Sequence, residues 1–284
     1  MRLFLLSFLL LLGHVGHAAF QQQVVPYYGQ EFYDDLARGA QDEELKARLK
    51  KVLQSYHKTN PGSLDEVVDN CSGRGCYAQE SLGYDGARVY LMGNYYLHRK
   101  GNSYAVVDVY CDDEKTAEDF RGGTPPGPDV VPDHTVINIE HTWPQSRFTG
   151  RHSKGTQKAD LHHLFPTDSE LNAIRGNNNF GEVVKDKREL KCAASRFGYP
   201  DKSNRLVFEP PDNHKGNVAR ALFYFSVRYD IQLNLSEEQT LREWAKADPV
   251  DEDEAHRNNE IYKVQKNRNP FVDFPELVDR ISHF

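Results

Sequence analysis

Long apolar runs are scarce in this sequence, and the one that exists lies at its start. Residues 3–12 form an apolar stretch, which is well short of the roughly 20 residues that a bilayer-spanning helix needs. Arg2 precedes this run, and the small residues of Gly16-His17-Ala18 follow it. The pattern predicts a cleavable export signal over residues 1–18 and no membrane-spanning segment in residues 19–284. An uncleaved anchor is the alternative.

Cysteine is also scarce, and its spacing argues against one kind of metal site. The four cysteines are Cys71, Cys76, Cys111 and Cys192, and none of them forms a C-x-x-C pair. A zinc–thiolate site is therefore not expected. Export permits disulfides. The pliable stretch between Cys71 and Cys76 favours a local bridge, which leaves Cys111 with Cys192, and free thiols are the alternative.

Positive charge is in short supply, because the formal net charge is −7. Such a chain is not expected to attract nucleic acid over its whole surface. From His141 to Arg228, however, 15 Lys and Arg stand against 9 Asp and Glu, a local +6 that leaves −13 for the remainder. A basic segment within an acidic chain indicates a local anionic partner. Chance asymmetry on a solvated surface is the alternative.

The remaining pattern is that of one α+β domain. Helical periodicity predicts helices over residues 42–57, 217–230 and 236–247. Val- and Tyr-rich stretches predict strands over residues 87–97 and 104–110. No repeat or low-complexity tract interrupts them. We therefore expect a mixed, mostly helical single domain over residues 19–284, which we also expect to be a monomer.

The stretch INIEHTWPQS contains an acid and a base side by side. Its β-branched residues predict a strand that carries Glu140 and His141, and Trp143-Pro144 ends that strand. Neighbours in a strand point to opposite faces. Glu140 and His141 can therefore serve one site only if that site lies at the end of the strand.

A second strand and a short helix are predicted downstream. We expect the strand near residues 160–164 and the helix over residues 168–175, started by a capping box of Thr167 and Glu170. Asn172 lies inside this helix although Asn is a mediocre helix former. A strand–strand–helix unit can bring Asn172 close to the end of the first strand.

This unit offers the parts of a magnesium-dependent hydrolase. Glu140 and Asn172 supply hard oxygen ligands, which suit Mg²⁺. His141 supplies a base that is neutral near physiological pH. We therefore predict that Glu140 and Asn172 hold the ion while His141 takes a proton from water.

Four motifs resemble the endonuclease I family of secreted bacterial nucleases, a branch of the ββα-metal (His-Me finger) superfamily. They are IEHTWP at residues 139–144, DLHHLFP at 160–166, ELN at 170–172, and Arg175 with Asn177. The resemblance covers the chain from about Tyr28 to Val278. It implies a ββα-metal motif at about residues 134–178.

The resemblance also implies an activity and residue roles. The activity is sequence-non-specific hydrolysis of DNA, and also of RNA, with one Mg²⁺ or with Mn²⁺ as a substitute. His141 is implied as the general base, and Glu140 and Asn172 as the metal ligands. An arginine close to the scissile phosphate is expected in the following loop, where Arg151 is slightly favoured over Arg147.

Other candidates complete the predicted site. Lys158, Arg175 and Asn177 are the candidates for substrate contact, and His162 is expected to support the site from behind. The implied partner is nucleic acid, not membrane, and the location is secreted or periplasmic. Two alternatives remain: a secreted zinc hydrolase that uses His141, His162 and His163, or a non-catalytic nucleic-acid-binding protein.

Overall fold

The computed structural model describes residues 24–201 and 203–284, so the predicted export signal over residues 1–18 lies outside the described residues. In chain order the helices are α1 (Gly29–Ala37), α2 (Asp42–Gln54), α3 (Gly83–Tyr90), α4 (Lys154–Lys158), α5 (Ser169–Arg175), α6 (Asp212–Tyr229), α7 (Leu235–Ala247), α8 (Glu252–Gln265) and α9 (Pro270–Asp273). The strands are β1 (Tyr56–Lys58), β2 (Glu66–Val68), β3 (Cys76–Tyr77), β4 (Leu97–Lys100), β5 (Ser103–Asp108), β6 (Asp113–Thr116), β7 (Ile137–His141), β8 (Leu164–Asp168), β9 (Asn179–Phe180), β10 (Lys185–Asp186), β11 (Arg196–Tyr199) and β12 (Val207–Glu209).

The strands form small sheets between the helices. Their orders are β2-β1-β3, β4-β5-β6, β7-β8 and β10-β11-β12-β9. The β12–β9 pair is parallel, and the other pairs are antiparallel. The predicted α+β class is therefore confirmed. In the described part of the chain, every helix is too short or too polar to cross a membrane.

Helix α6 passes through the main core and is buried over nearly all of its length. Its aromatic side chains Tyr224, Phe225 and Tyr229 belong to that core. Phe225 stacks on Trp143 with ring centroids 5.1 Å apart, and its ring lies 4.5 Å from that of His163. Burial of such side chains stabilises the fold by about 1.5–3 kcal/mol each. Helix α6 thus packs its aromatic side chains against the residues that follow the end of β7.

The predicted strand–strand–helix unit is present as β7, β8 and α5. Strands β7 and β8 pair antiparallel, from Ile137 opposite Asp168 to His141 opposite Leu164. Helix α5 starts directly after β8 and packs on both strands. Strand β7 therefore has two buried faces. One meets α5, and on the other Ile137 and Ile139 belong to a buried cluster with Ala87.

The prediction of a strand over residues 87–97 is wrong. Helix α3 occupies the first part of this range and continues into a π-helical segment over Leu91–Tyr95. Ala87 and Leu91, four residues apart, belong with Val106 to one buried cluster. Helical spacing of the apolar residues therefore outweighs the Val and Tyr content on which the strand prediction rested.

The start of α5 also differs from the prediction. A 3-10 turn over Leu161–His163 precedes β8, so the strand comes later than expected. Asp168, not Thr167, is the N-cap: its Oδ1 accepts hydrogen bonds from the backbone N–H of Glu170 at 2.9 Å and of Leu171 at 3.2 Å. Thr167 remains in the β8 ladder. The tertiary pairing of the strand thus decides which of two good capping residues is used.

The predicted disulfides are confirmed. Cys71 bonds to Cys76 and Cys111 to Cys192, with Cα–Cα distances of 5.8 and 5.4 Å. The first pair is separated by 5 residues and the second by 81. In the chain-entropy view, the longer loop restricts the unfolded chain more strongly.

We predict unequal losses of stability when the two bridges are removed. The double variant Cys111→Ser/Cys192→Ser is expected to lower the free energy of unfolding by about 4 kcal/mol, and Cys71→Ser/Cys76→Ser by about 2 kcal/mol, because the closed loops differ in length. Urea unfolding of both variants beside the oxidised wild type measures this. An equal or larger loss of unfolding free energy in the Cys71→Ser/Cys76→Ser variant would contradict the expected dependence on loop length.

Candidate active site

Helix α5 faces the side of β7 that carries Asn138 and Glu140. Alternate residues of a strand share a face, so His141 points the other way. Asn172 donates from Nδ2 to Oδ1 of Asn138 at 2.7 Å. Arg175, one helical turn later, donates from Nη1 to Oε1 of Glu140 at 2.5 Å. The two predicted ligands therefore lie on facing surfaces of a single strand–helix contact.

Glu140 is a buried carboxylate, with 2% of its side chain exposed. Burial raises the pKa of Glu140 to about 7, while the Arg175 cation acts in the opposite direction. The neighbours therefore compensate its negative charge only in part. A carboxylate in this state has capacity for additional positive charge beside it.

Arg175, predicted to contact substrate, directs its side chain into the protein and is only 1% exposed. Besides Glu140, its guanidinium donates to the backbone oxygens of His141 at 2.9 Å and Thr142 at 2.7 Å. It also lies over the ring of Phe180, with Cζ 4.3 Å from the centroid. In this position it holds the end of β7, and substrate contact stays a prediction.

His141 is held by the backbone of α4. Its Nε2 lies 3.1 Å from the carbonyl oxygen of Lys158, and a carbonyl only accepts, so Nε2 carries the proton. Nδ1 then keeps its lone pair and lies 3.4 Å from the side-chain nitrogen of Gln145. Burial lowers the pKa of His141 to about 3, and His163 acts in the same direction. The imidazole is therefore neutral at physiological pH, and Nδ1 is the ring nitrogen that keeps an unshared electron pair.

A second imidazole uses the same helix end. The carbonyl oxygen of Gln157 lies 2.8 Å from Nε2 of His163. Carbonyls in the last turn of a helix have no partner within the helix, so these ring N–H groups satisfy them. The buried side chain of Gln157 donates to the backbone oxygens of Thr149 and His152, both at 3.1 Å. Gln157 thereby joins the loop after β7 to the two imidazoles.

The two candidate arginines have different surroundings. Arg147 donates to the backbone oxygen of Asn177 at 2.6 Å and contacts the buried carboxylate of Glu237 at 3.2 Å. Arg151 is largely exposed and lies 3.3 Å from the carboxylate of Asp230. Arg147 thus ties the loop to the end of α5, whereas Arg151 remains open to solvent. The roles of Arg147, Arg151 and Asn177 stay predictions.

Among the described residues, only one group of three His, Cys, Asp or Glu side chains is close enough to hold a metal ion. It comprises Asp108, Cys111 and Asp168, with the ligand atoms within 4.8 Å of one another. Cys111 is bonded to Cys192 and offers no thiolate. The ammonium of Lys115 lies 3.0 Å from Asp108 and 3.4 Å from Asp168. Lys191 contacts Asp168 as well, so two ammonium groups balance the two carboxylates of this group.

None of the histidines proposed for a zinc site belongs to that group. His162 is buried behind β8, with Nε2 3.3 Å from the carbonyl oxygen of Asn267 and its ring 4.6 Å from that of Tyr224. His163 uses its own Nε2 for the α4 carbonyl described above. Each imidazole thus has separate partners, which argues against the zinc alternative.

Three residues near the site were not identified from the sequence. The ring of Tyr84 lies 5.4 Å from that of His141, but the strand predicted from residue 87 onward obscured the helix to which Tyr84 belongs. Strand alternation from Glu140 could have pointed to Asn138. Gln157 had no local signal, because its partners are backbone atoms that only the fold brings together.

Known proteins resemble this chain over part of its length. Extracellular ribonuclease from Bacillus subtilis (strain 168) is 40% identical over 162 residues, which cover 51% of this chain and 53% of that protein. Extracellular deoxyribonuclease from Aeromonas hydrophila is 32% identical over 117 residues, or 41% and 49%. Endonuclease-1 from Buchnera aphidicola (subsp. Acyrthosiphon pisum, strain APS) is 30% identical over 115 residues, or 40% and 44%.

The matched segments are partial, since the chain spans about half the length of the curated relatives it matches. The sequence model of the family described as Endonuclease I covers much more, from residue 74 to residue 276. That range includes β7, β8 and α5 together with the central helix α6. It confirms the resemblance found in the motifs, and the chain therefore belongs to the endonuclease I family.

Proposed function

We propose that this protein is an exported, metal-dependent endonuclease that hydrolyses phosphodiester bonds without sequence preference. His141 is the general base in this proposal, and Glu140 and Asn172 are the metal ligands. Family membership supports a nuclease, and the arrangement around the end of β7 supports these residue roles.

One observation carries the proposal: the orientation of His141. The contact of Nε2 with the Lys158 carbonyl, 3.1 Å long, leaves Nδ1 as the proton acceptor. The adjacent Glu140 faces α5 from the same strand end. Glu140 and His141 each have a structural partner, Arg175 and the Lys158 carbonyl. A buried carboxylate and a neutral imidazole on successive residues also match the needs of a hydrolase that must hold a cation and activate water.

The donor set fits a hard divalent cation. Glu140 brings a carboxylate whose charge is only partly compensated, and Asn172 brings an amide oxygen from the facing helix while its nitrogen binds Asn138. Two protein oxygens suit Mg²⁺ or Mn²⁺, which keep the remaining positions for water and phosphate. Bound there, the ion would supply Lewis acidity and charge neutralisation at the scissile phosphate.

The chain itself contributes proton transfer and positioning. A water molecule gives its proton to Nδ1 of His141 and attacks phosphorus, and the bond from phosphorus to the leaving oxygen breaks. The leaving oxygen takes a proton from solvent water, so the products are a phosphomonoester and a free hydroxyl. Arg175 keeps His141 in place through the backbone oxygen of that residue, 2.9 Å away. The exposed Arg151 is available to support the phosphate oxygens.

Both DNA and RNA fit the proposal as substrates. The relatives include proteins named extracellular ribonuclease and extracellular deoxyribonuclease. Nothing in the β7–α5 contact reads base edges, so recognition through the phosphodiester backbone is expected. Relatives named extracellular or periplasmic, together with two disulfides, support an exported protein.

The direct test is a nuclease assay on supercoiled DNA, single-stranded DNA and RNA. We expect all three substrates to be degraded with Mg²⁺, activity to vanish with EDTA, and Mg²⁺ or Mn²⁺ to restore it. Restoration by Zn²⁺ but not by Mg²⁺ would favour the zinc alternative. Nucleic-acid binding without cleavage under every metal would overturn the enzymatic proposal.

His141→Ala is expected to lower the rate of DNA nicking by about 10²–10⁴-fold, the usual contribution of a general base. Binding of DNA should change little, because the exposed Arg151 and the partly buried Lys158 remain. The matched control is His134→Ala, since the His134 side chain is 81% exposed. Wild-type turnover by the His141 variant would remove the base assignment.

Asn172→Ala is expected to raise the Mg²⁺ concentration for half-maximal activity by about 10-fold or more, because even indirect partners of a metal ligand contribute that much. Asn172→Asp keeps an oxygen ligand and should retain activity at low Mg²⁺. The control is Asn138→Ala, which breaks the same hydrogen bond but leaves the amide oxygen of Asn172 in place. Equal Mg²⁺ titrations for the two alanine variants would reject Asn172 as a ligand.

A further inference from the structure

Two cations share one tyrosine ring beside the candidate base. Nζ of Lys158 lies 4.2 Å from the centroid of the Tyr84 ring, and Cζ of Arg88 lies 5.3 Å from it. The same ring lies 5.4 Å from the imidazole of His141. A cation is attracted to the face of an aromatic ring, so Tyr84 is a platform that fixes positive charge at this place.

Helical geometry brings these groups together. Tyr84 and Arg88 are four residues apart on α3 and therefore neighbours on one face of that helix. Helix α3 packs on α4, and Lys158 is the last residue of α4. The backbone of Lys158 holds His141 while its side chain reaches the tyrosine ring, so base and ammonium are positioned by the same residue.

The two cations differ in how well they are neutralised. Arg88 donates from Nη2 to the carboxylate of Asp85 at 2.6 Å. Among the described residues, no carboxylate forms an ion pair with Lys158, whose side chain is partly buried. An ammonium without a counter-charge in the protein attracts anions from outside. The place is therefore suited to an anionic group that the protein does not itself provide.

The position of this ammonium relative to the base indicates which anion it meets. Nε2 of His141 points towards the end of α4, whereas Nδ1, on the other edge of the ring, points towards Gln145. In the proposed reaction the attacked phosphate lies on the Nδ1 side. The backbone carbonyl of Lys158 lies on the Nε2 side, and the ring of Tyr84 holds its ammonium. This ammonium is therefore a candidate partner for a phosphate other than the attacked one.

We infer that Lys158, positioned by the ring of Tyr84, binds a backbone phosphate that flanks the scissile one. This inference rests on the proposed function and adds a second phosphate subsite to it. Tyr84 is a positioning residue here, since it acts through the ammonium. The subsite favours chains with several phosphates over substrates that contain a single phosphodiester.

The test compares Lys158→Ala on two substrates. One is a single-stranded 12-nucleotide DNA, and the other is a dinucleotide with one phosphodiester and no flanking phosphate. We expect kcat/KM to fall by about 10-fold more for the 12-mer than for the dinucleotide. This additional loss should come from a higher KM with kcat unchanged, because a flanking contact stabilises the bound substrate and the transition state equally. The matched control is Lys154→Ala, an exposed lysine on the same helix, which should keep the wild-type ratio.

A second arm separates the ring from the ammonium. Tyr84→Phe keeps the aromatic face and should keep the wild-type preference for the 12-mer. Tyr84→Leu removes the face and should reproduce part of the Lys158→Ala defect. In binding of the 12-mer without divalent metal, Lys158→Ala should make the dependence of log K on log salt shallower by about 0.7, the value for one phosphate contact on a single strand.

Three results would overturn the inference. The first is an equal loss of kcat/KM on both substrates, which would place Lys158 at the scissile phosphate. The second is a loss of kcat/KM on the 12-mer no larger than that of Lys154→Ala. The third is an unchanged dependence of log K on log salt. Failure of the proposed function is distinguishable, because a wild-type protein that cleaves neither substrate would refute the nuclease. The salt slope of metal-free binding would still decide whether Lys158 meets a phosphate.

Discussion

The buried guanidinium of Arg175 is the interaction on which the arrangement at the end of β7 depends. It neutralises part of the charge of Glu140 and, through its other donors, binds the backbone oxygens of His141 and Thr142. These oxygens lie where the strand ladder stops, so they need another partner. One side chain from α5 thus holds the carboxylate and the backbone of the neighbouring imidazole together. Because a buried charge that loses its partner is costly, this pair also fixes the position of the helix that carries Asn172.

On the other face of β7, the short helix α4 has a comparable role. The carbonyl oxygen of Lys158 accepts a hydrogen bond from the ring N–H of His141, and that of Gln157 accepts one from His163. The side chain of Gln157 also binds the loop that leaves β7. The tautomer of the candidate base is therefore set by backbone atoms, which cannot be altered by changing one side chain. The site is built less from apolar packing than from helix ends whose unpaired groups are used as hydrogen-bond partners.

The sequence predicts much of this arrangement but not all of it. The strand–strand–helix unit and the helix predicted over residues 42–57 are both present, because strict apolar periodicity and well-spaced motifs are local signals, although the helix ends at Gln54. Helix α3 was missed, since Val and Tyr content favours a strand when the buried partners of Ala87 and Leu91 are unknown. The inward direction of Arg175 was equally hidden. Its main partner, Glu140, is 35 residues away in sequence, and a cation at a helix end is compatible with either a substrate or a buried carboxylate.

Asp160 shows that the strand–strand–helix unit is not separable from the rest of the protein. Its fully buried carboxylate accepts hydrogen bonds from the hydroxyls of Tyr224 and Tyr229, at 2.8 and 2.7 Å, and from Gln265 at 2.8 Å. These donors come from α6 and from the end of α8, more than 60 residues further along the chain. A peptide limited to residues 134–178 would leave this acid without those donors. The hairpin and its helix are therefore expected to gain their structure cooperatively with the C-terminal helices, and transplanting the motif alone into another scaffold would require a substitute for Asp160.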